Sequence, residues 1–248
     1  MQKNNDYWDV YGKKPVSLAP ETRRKIQERI KEGDRVLDVA GAKCIFSRAD
    51  YIIDIVEYSE KTKNRAWGPP REYFTEKTWV VGDINEKMPF EDNFFDFVLC
   101  THTLEDIRDP IGTCKEMMRI GKSGYLECPS RELESQMSLV KHGMIGFGNH
   151  RWFVDIQNGE VVFTNKAPYT YTDLGRRNLV LYDYENSFSA LQNSYVGLFW
   201  ENTFKVREKI IISTEEAISD QANFITKIKK RKYYNDWDLS CHKGRYLI

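Results

Sequence analysis

Arg35-Val36-Leu37-Asp38-Val39-Ala40-Gly41-Ala42, continued by Tyr51-Ile52-Ile53-Asp54-Ile55, decides the fold. Each piece is a short apolar run that ends in a small residue or a carboxylate. Val36, Leu37 and Val39 suit a strand buried on both faces, as the centre of a parallel sheet requires. Gly41 follows where the backbone must turn sharply and let a ligand come close. Asp54 stands at the carboxyl end of the second strand. In doubly wound sheets a carboxylate there accepts hydrogen bonds from the ribose of a nucleotide-like ligand. Strand, glycine turn, strand and acid together read as a cofactor site.

The neighbouring segments extend this pattern. Pro20-Glu21-Thr22 opens a helix to about Lys31, with Ile26 and Ile30 four apart and Gly33-Asp34 as its stop. Between strands one and two only Lys43 to Asp50 are available, whereas a parallel crossover normally needs a dozen or more residues. The first crossover helix is therefore short or missing. Thr78 to Ile84 reads as strand three and Phe94 to Cys100 as strand four. Pro110 to Ile120 forms a helix with Ile111, Cys114, Met117 and Met118 on one face. Gly124 to Cys128 is strand five, stopped by Pro129. Arg131 to about Leu139 reads as helical. Trp152–Ile156 and Glu160–Phe163 flank Asn158-Gly159, the strongest short hairpin signal. Tyr195–Trp200 and Phe204–Ser213 read as two strands that extend the main sheet antiparallel. Thr214 starts a helix to about Lys230.

The fold class expected is α/β: a Rossmann-like, mostly parallel sheet with antiparallel C-terminal strands and a small inserted β-hairpin cap. The chain divides into an N-terminal arm and helix (1–34), a core (35–130), an insertion or cap (131–194), and strands, helix and tail (195–248).

Composition narrows the function classes. The 248 residues carry 37 acidic and 37 basic side chains, so no overall field favours nucleic acid or an anionic membrane. Five scattered cysteines show no metal-ligand spacing and read as free thiols in a reducing cytoplasm. The polar start, Met1 to Asp6, reads as no signal peptide, and no apolar run is long enough to span a bilayer. No metal site is expected.

The pattern resembles the class I S-adenosylmethionine (SAM)-dependent methyltransferases. The residues that carry the resemblance are Val36 to Ala42, Asp54, Gly82-Asp83-Ile84, Met88 to Val98, and Thr101-His102-Thr103-Leu104-Glu105-Asp106 with Asp109-Pro110. Ala40, Ala42 and Cys44 stand where that family usually has three glycines. The resemblance implies SAM as cofactor. It gives Asp38, Ala40 and Gly41 the methionine part, Asp54 the ribose, Asp83 the adenine amino group and Ile84 the ring face. Thr101 and His102 would lie beside the sulfonium. Lys43 can pair with the methionine carboxylate. Pro129-Ser130-Arg131 and His150-Arg151-Trp152 resemble a bacterial subgroup with the same short first loop, which looks like small-molecule or polysaccharide-pathway methyltransferases.

Of four histidines, His102 follows strand four at the edge where such sheets bind ligands, and imidazole suits base chemistry near neutral pH. His102 is the first catalytic candidate and His150 the second; His142 and His242 have no supporting context. Glu105 either orients His102 or begins the next helix, and the helix role is preferred. Trp8, Tyr11, Tyr169, Tyr171 and Trp200 can stack on a sugar or ring acceptor, with core packing the preferred role for Trp200. The basic run Lys227–Lys232 reads as a solvated helix end. The function expected is SAM-dependent methyl transfer to a small-molecule acceptor, an oxygen of a sugar or glycan precursor, by a monomer or homodimer. No nucleic acid or membrane partner is expected. The alternatives are an RNA or protein methyltransferase, or a non-catalytic SAM-binding relative.

Overall fold

The computed structural model describes residues 18–61, 66–135, 146–166 and 195–235. The expected N-terminal arm up to residue 17, most of the cap, His142, His242, Trp8, Tyr11, Tyr169, Tyr171 and the C-terminal tail lie outside them. The chain forms two compact units. One is built on the residues up to Cys128, with Ile156–Val161 and Gly197–Val206; the other on Pro129–Asp155, Val162–Val196 and the residues from Arg207.

The first unit is built on a six-stranded sheet of order β3-β2-β1-β4-β5-β8. Its strands are β1 (Val36–Val39), β2 (Tyr51–Asp54), β3 (Trp79–Val81), β4 (Phe97–Thr101), β5 (Ser123–Pro129) and β8 (Tyr195–Glu201). The first five run parallel and β8 makes an antiparallel edge. Every residue of β1, Asp38 included, is buried, as a central strand covered on both faces requires. Helix α1 (Pro20–Arg29) begins with proline at its first turn and buries Ile26. Helix α2 (Pro110–Ile120) is capped by Asp109, whose carboxylate accepts from the Gly112 N–H at 2.8 Å, and buries Thr113, Cys114, Met117 and Ile120.

Parallel register sets Asp38 beside Ile52 and Leu99, and Thr101 beside Glu127. Side chains alternate along a strand, so Asp38, Asp54, Thr101 and Glu127 share one face. That face also carries Val36, Ile52, Trp79, Phe97, Leu99 and Tyr125, which pack with Ile26 and Phe46 into a single core cluster.

No helix joins β1 to β2. The loop from Ala40 to Asp50 is instead stitched to the segment after residue 66. The Ser47 N–H donates to the Trp67 carbonyl and the Trp67 N–H to the Ile45 carbonyl, both at 2.9 Å. The Phe46 and Trp67 rings stack with centroids 4.2 Å apart. This second loop satisfies the backbone and covers the sheet where a crossover helix normally would.

The second sheet has the order β6-β7-β9, with β6 (Trp152–Gln157), β7 (Glu160–Asn165) and β9 (Lys205–Lys209). Asn158 and Gly159 both have positive φ, 52° and 75°, as the predicted hairpin turn requires. One expectation is corrected here. Only β8 extends the main sheet; β9 pairs with the hairpin. β8 brings Phe199 and Trp200, and Phe199 lies 4.4 Å from Tyr125 of β5. β9 is Lys205-Val206-Arg207-Glu208-Lys209, a charged strand suited to an edge. The second unit also holds α3 (Arg131–Glu134) and α4 (Thr214–Asn235).

Candidate active site

The carboxyl ends of β1 and β2 bring together the residues that the motif singled out. Ala40 leaves β1 with φ +57°, the left-handed conformation that glycine adopts most readily, so the turn keeps its shape without the usual glycine. Gly41 then passes so close to Asp38 that a Cβ there would lie 2.3 Å from the Asp38 Oδ2. The same Oδ2 accepts from the Phe46 N–H at 2.9 Å, which ties the loop back onto the strand. Burial pushes the Asp38 carboxyl up to about 7; the Phe46 N–H opposes this, and the Asp54 charge adds to it.

Asp54 is buried at 6 % exposure. Its Oδ2 accepts from the Ala42 N–H and its Oδ1 from the Val56 N–H, each at 3.0 Å. An ionised carboxylate has about four acceptor positions, so each oxygen retains one for a hydroxyl. Asp54 is thus bonded to the residue that follows Gly41 in the turn.

Beside Asp54 stand two exposed apolar side chains, Ile55 at 72 % and Val81 at 49 %. Asp83 lies in the loop after β3, where the Asn85 N–H and side-chain amide hold its carboxyl below the usual carboxylate range. Ile84 is buried, and its carbonyl accepts from the Thr113 hydroxyl at 2.8 Å. The exposed apolar surface next to the acid thus comes from Ile55 and Val81. Their signal in the sequence is one apolar residue placed just past a strand's buried run.

Thr101 ends β4, and His102 follows with φ +54°. A non-glycine residue in this region is uncommon and marks a position that its surroundings over-determine. The His102 N–H donates to the Glu127 carbonyl at 2.8 Å. Its Nε2 lies 3.1 Å from Glu127 Oε1, with the imidazole 23 % exposed. Glu127 also receives the Tyr125 hydroxyl at 2.7 Å and the Leu18 N–H at 3.2 Å. Burial and then the Glu127 charge raise the Tyr125 phenol. Glu127 was not singled out from the sequence. Its signal was a lone carboxylate inside the otherwise apolar Gly124–Cys128 strand. Glu105 does not begin a helix, which corrects the role preferred for it: it lies buried in the turn before α2.

His150 belongs to the second unit and is buried. Its Nδ1 lies 2.6 Å from Glu134 Oε1, while the Lys166 ammonium reaches Glu134 Oε2 at 2.8 Å. Burial works to raise the Glu134 carboxyl, but His150 and Lys166 outweigh it and hold it below the usual range. Among the described residues, no group of His, Cys, Asp and Glu side chains is arranged to hold a metal ion. Cys44, Cys100, Cys114 and Cys128 are free thiols.

A cavity of about 550 Å³ opens at the other end of the sheet, lined by Asp34, Asp96, Lys122 and Trp200 among others. It lies away from the carboxyl ends of the parallel strands, where open α/β sheets bind ligands, so Asp38, Gly41 and Asp54 form the candidate site instead.

The donor set fits S-adenosylmethionine. A buried carboxylate with acceptor positions to spare, apolar side chains beside it and a tight glycine turn are groups that could hold an adenosyl ligand. No helix of the described residues is long and apolar enough to cross a membrane.

Residues 35–126, a little over a third of the chain, match the family model described as a methyltransferase domain. No curated protein matches the sequence. Among solved structures, a SAM-dependent methyltransferase from Aquifex aeolicus is 20 % identical, covering 44 % of this chain and 65 % of that one, with a TM-score of 0.29. An S-adenosylmethionine-dependent methyltransferase from Mesorhizobium loti is 13 % identical, covering 58 % and 62 %, with a TM-score of 0.34. The cyclase SpnF is 14 % identical, covering 51 % and 52 %, with a TM-score of 0.33. The chain thus spans less than two thirds of each of these proteins. Residues 35–126 therefore match a methyltransferase domain on a Rossmann-like α/β sheet, and S-adenosylmethionine is the cofactor that this match implies.

Proposed function

We propose that this chain is a SAM-dependent methyltransferase acting on a hydroxyl of a small molecule such as a sugar or glycan precursor. The observation that carries the reading is the Asp54 carboxylate, buried at the carboxyl end of β2 and bonded to the Ala42 N–H of the glycine turn. When bound, the cofactor supplies a methyl group on a cationic sulfur. Asp54 holds the ribose, and Ile55 and Val81 flank the adenine. Asp38 and Gly41 shape the turn that meets the methionine part.

Methyl transfer is an in-line displacement, so the residues mainly orient the acceptor and exclude water. A hydroxyl becomes acidic as its oxygen is alkylated, and His102 takes that proton. Its half-buried ring is held at a strained backbone position at the end of β4. No step is assigned to His150, whose ring is engaged by Glu134.

Calorimetry with SAM and with its demethylated product tests the cofactor. Transfer of radiolabelled methyl from SAM to a panel of sugars and nucleotide sugars tests the acceptor. Binding to the wild type that Asp54→Asn weakens supports the reading. Absence of binding by the wild type refutes it. Binding without transfer to any acceptor leaves a non-catalytic relative.

A further inference from the structure

We propose that Glu127 is a positioning residue that holds His102 as its Nε2–H tautomer, and so makes Nδ1 the nitrogen that takes the acceptor's proton. This deepens the methyltransferase reading and rests on it for the catalytic step.

Two observations fix the ring. The His102 backbone is pinned to β5 by its N–H bond to the Glu127 carbonyl and held at φ +54°. Its Nε2 meets Glu127 Oε1 at 3.1 Å. Thr101 pairs with Glu127 across the sheet, so His102 leaves β4 directly beside the strand that carries Glu127.

Glu127 is itself held. Its Oε2 receives the Tyr125 hydroxyl and its Oε1 also receives the Leu18 N–H. A carboxylate that already accepts from the Tyr125 hydroxyl and the Leu18 N–H acts as an acceptor toward the imidazole too, so the proton of the shared bond sits on Nε2. The imidazole lone pair is then on Nδ1. In the transfer step, the acceptor oxygen bonds to the methyl carbon as the carbon–sulfur bond breaks. Sulfur keeps that electron pair and the hydroxyl proton passes to Nδ1. The resulting imidazolium carries its new charge 3.1 Å from a buried carboxylate, which stabilises it.

The test is NMR of the ¹⁵N-labelled full chain at about pH 8, with the His102 signals assigned by their loss in His102→Gln. The expected wild-type result is a proton on Nε2, shifted downfield and slow to exchange, with Nδ1 showing the lone-pair signal. In Glu127→Gln the Nε2 proton should move upfield and exchange faster, because a neutral amide replaces the charged acceptor. A purely structural Glu127 would leave this signal unmoved. A wild-type proton on Nδ1, a doubly protonated ring, or an identical Nε2–H signal in folded Glu127→Gln overturns the proposal. If Glu127→Gln does not fold, the wild-type tautomer decides alone. The measurement needs no cofactor, so failure to bind SAM would refute the methyltransferase reading without touching this result.

Discussion

Asp38 is a buried acid whose main bond is to the Phe46 N–H, and its carboxyl is pushed up from 3.8 to about 7 by burial. Its folded value therefore lies above its unfolded one. The protonated form is favoured in the folded state, so this contribution is fully present below about pH 4 and is lost as pH rises toward 7. At about 1.4 kcal/mol per pH unit, the whole gap is about 4 kcal/mol. Between about pH 5.5 and pH 8 the same linkage predicts that Asp38 withdraws about 2 kcal/mol of stability. Asn has the same shape, carries no charge, and keeps an oxygen for the Phe46 N–H. Asp38→Asn should therefore gain on the wild type by about 2 kcal/mol between those two pH values, or about 4–8 °C in Tm for a chain of this length. Thermal unfolding of both proteins at the two pH values reads the difference directly. A stability gap that does not widen as pH rises would refute the argument, and so would a gap that narrows.

Gly41→Ala would place a Cβ 2.3 Å from the Asp38 Oδ2 and should cost about 1–3 kcal/mol, read as a lower Tm; an unchanged melt would show that Asp38 moves aside freely. Asp54→Asn leaves either the Ala42 or the Val56 N–H facing an amide donor, and should weaken cofactor binding by about 1–3 kcal/mol, roughly 5- to 150-fold, in calorimetry. Lys166→Met removes the ammonium from the fully buried Glu134 and should lower the stability of the second unit by about 3–5 kcal/mol in urea unfolding; no loss would mean that His150 alone satisfies the carboxylate. His102→Ala should reduce methyl transfer far more than cofactor affinity, and equal turnover would remove His102 from the mechanism.

The central strands were legible because burial on both faces leaves a mark in composition. Val36 to Val39 and Ile52-Ile53 have the apolar run of an interior parallel strand, and a carboxylate ending such a run meets solvent only at the sheet's edge. The missing crossover helix was legible by counting, since too few residues separate Val39 from Tyr51. The hairpin was legible because Asn158-Gly159 tolerates the positive φ that its turn demands. The placement of β9 was not, because a charged strand can border either sheet and the choice rests on long-range pairing.

The sequence by itself determined the local facts: which runs become strands, where the backbone must turn, and which acid ends β2. These follow from sterics and side-chain periodicity within a few residues. Only the tertiary structure decided the partners. Glu127 reaches His102 because the register of β4 against β5 brings residues 25 positions apart side by side, and Lys166 reaches Glu134 across 32. A spacing of that length encodes no contact until the sheet has chosen its register, and hydrogen bonds between such residues form only after the fold has brought them together.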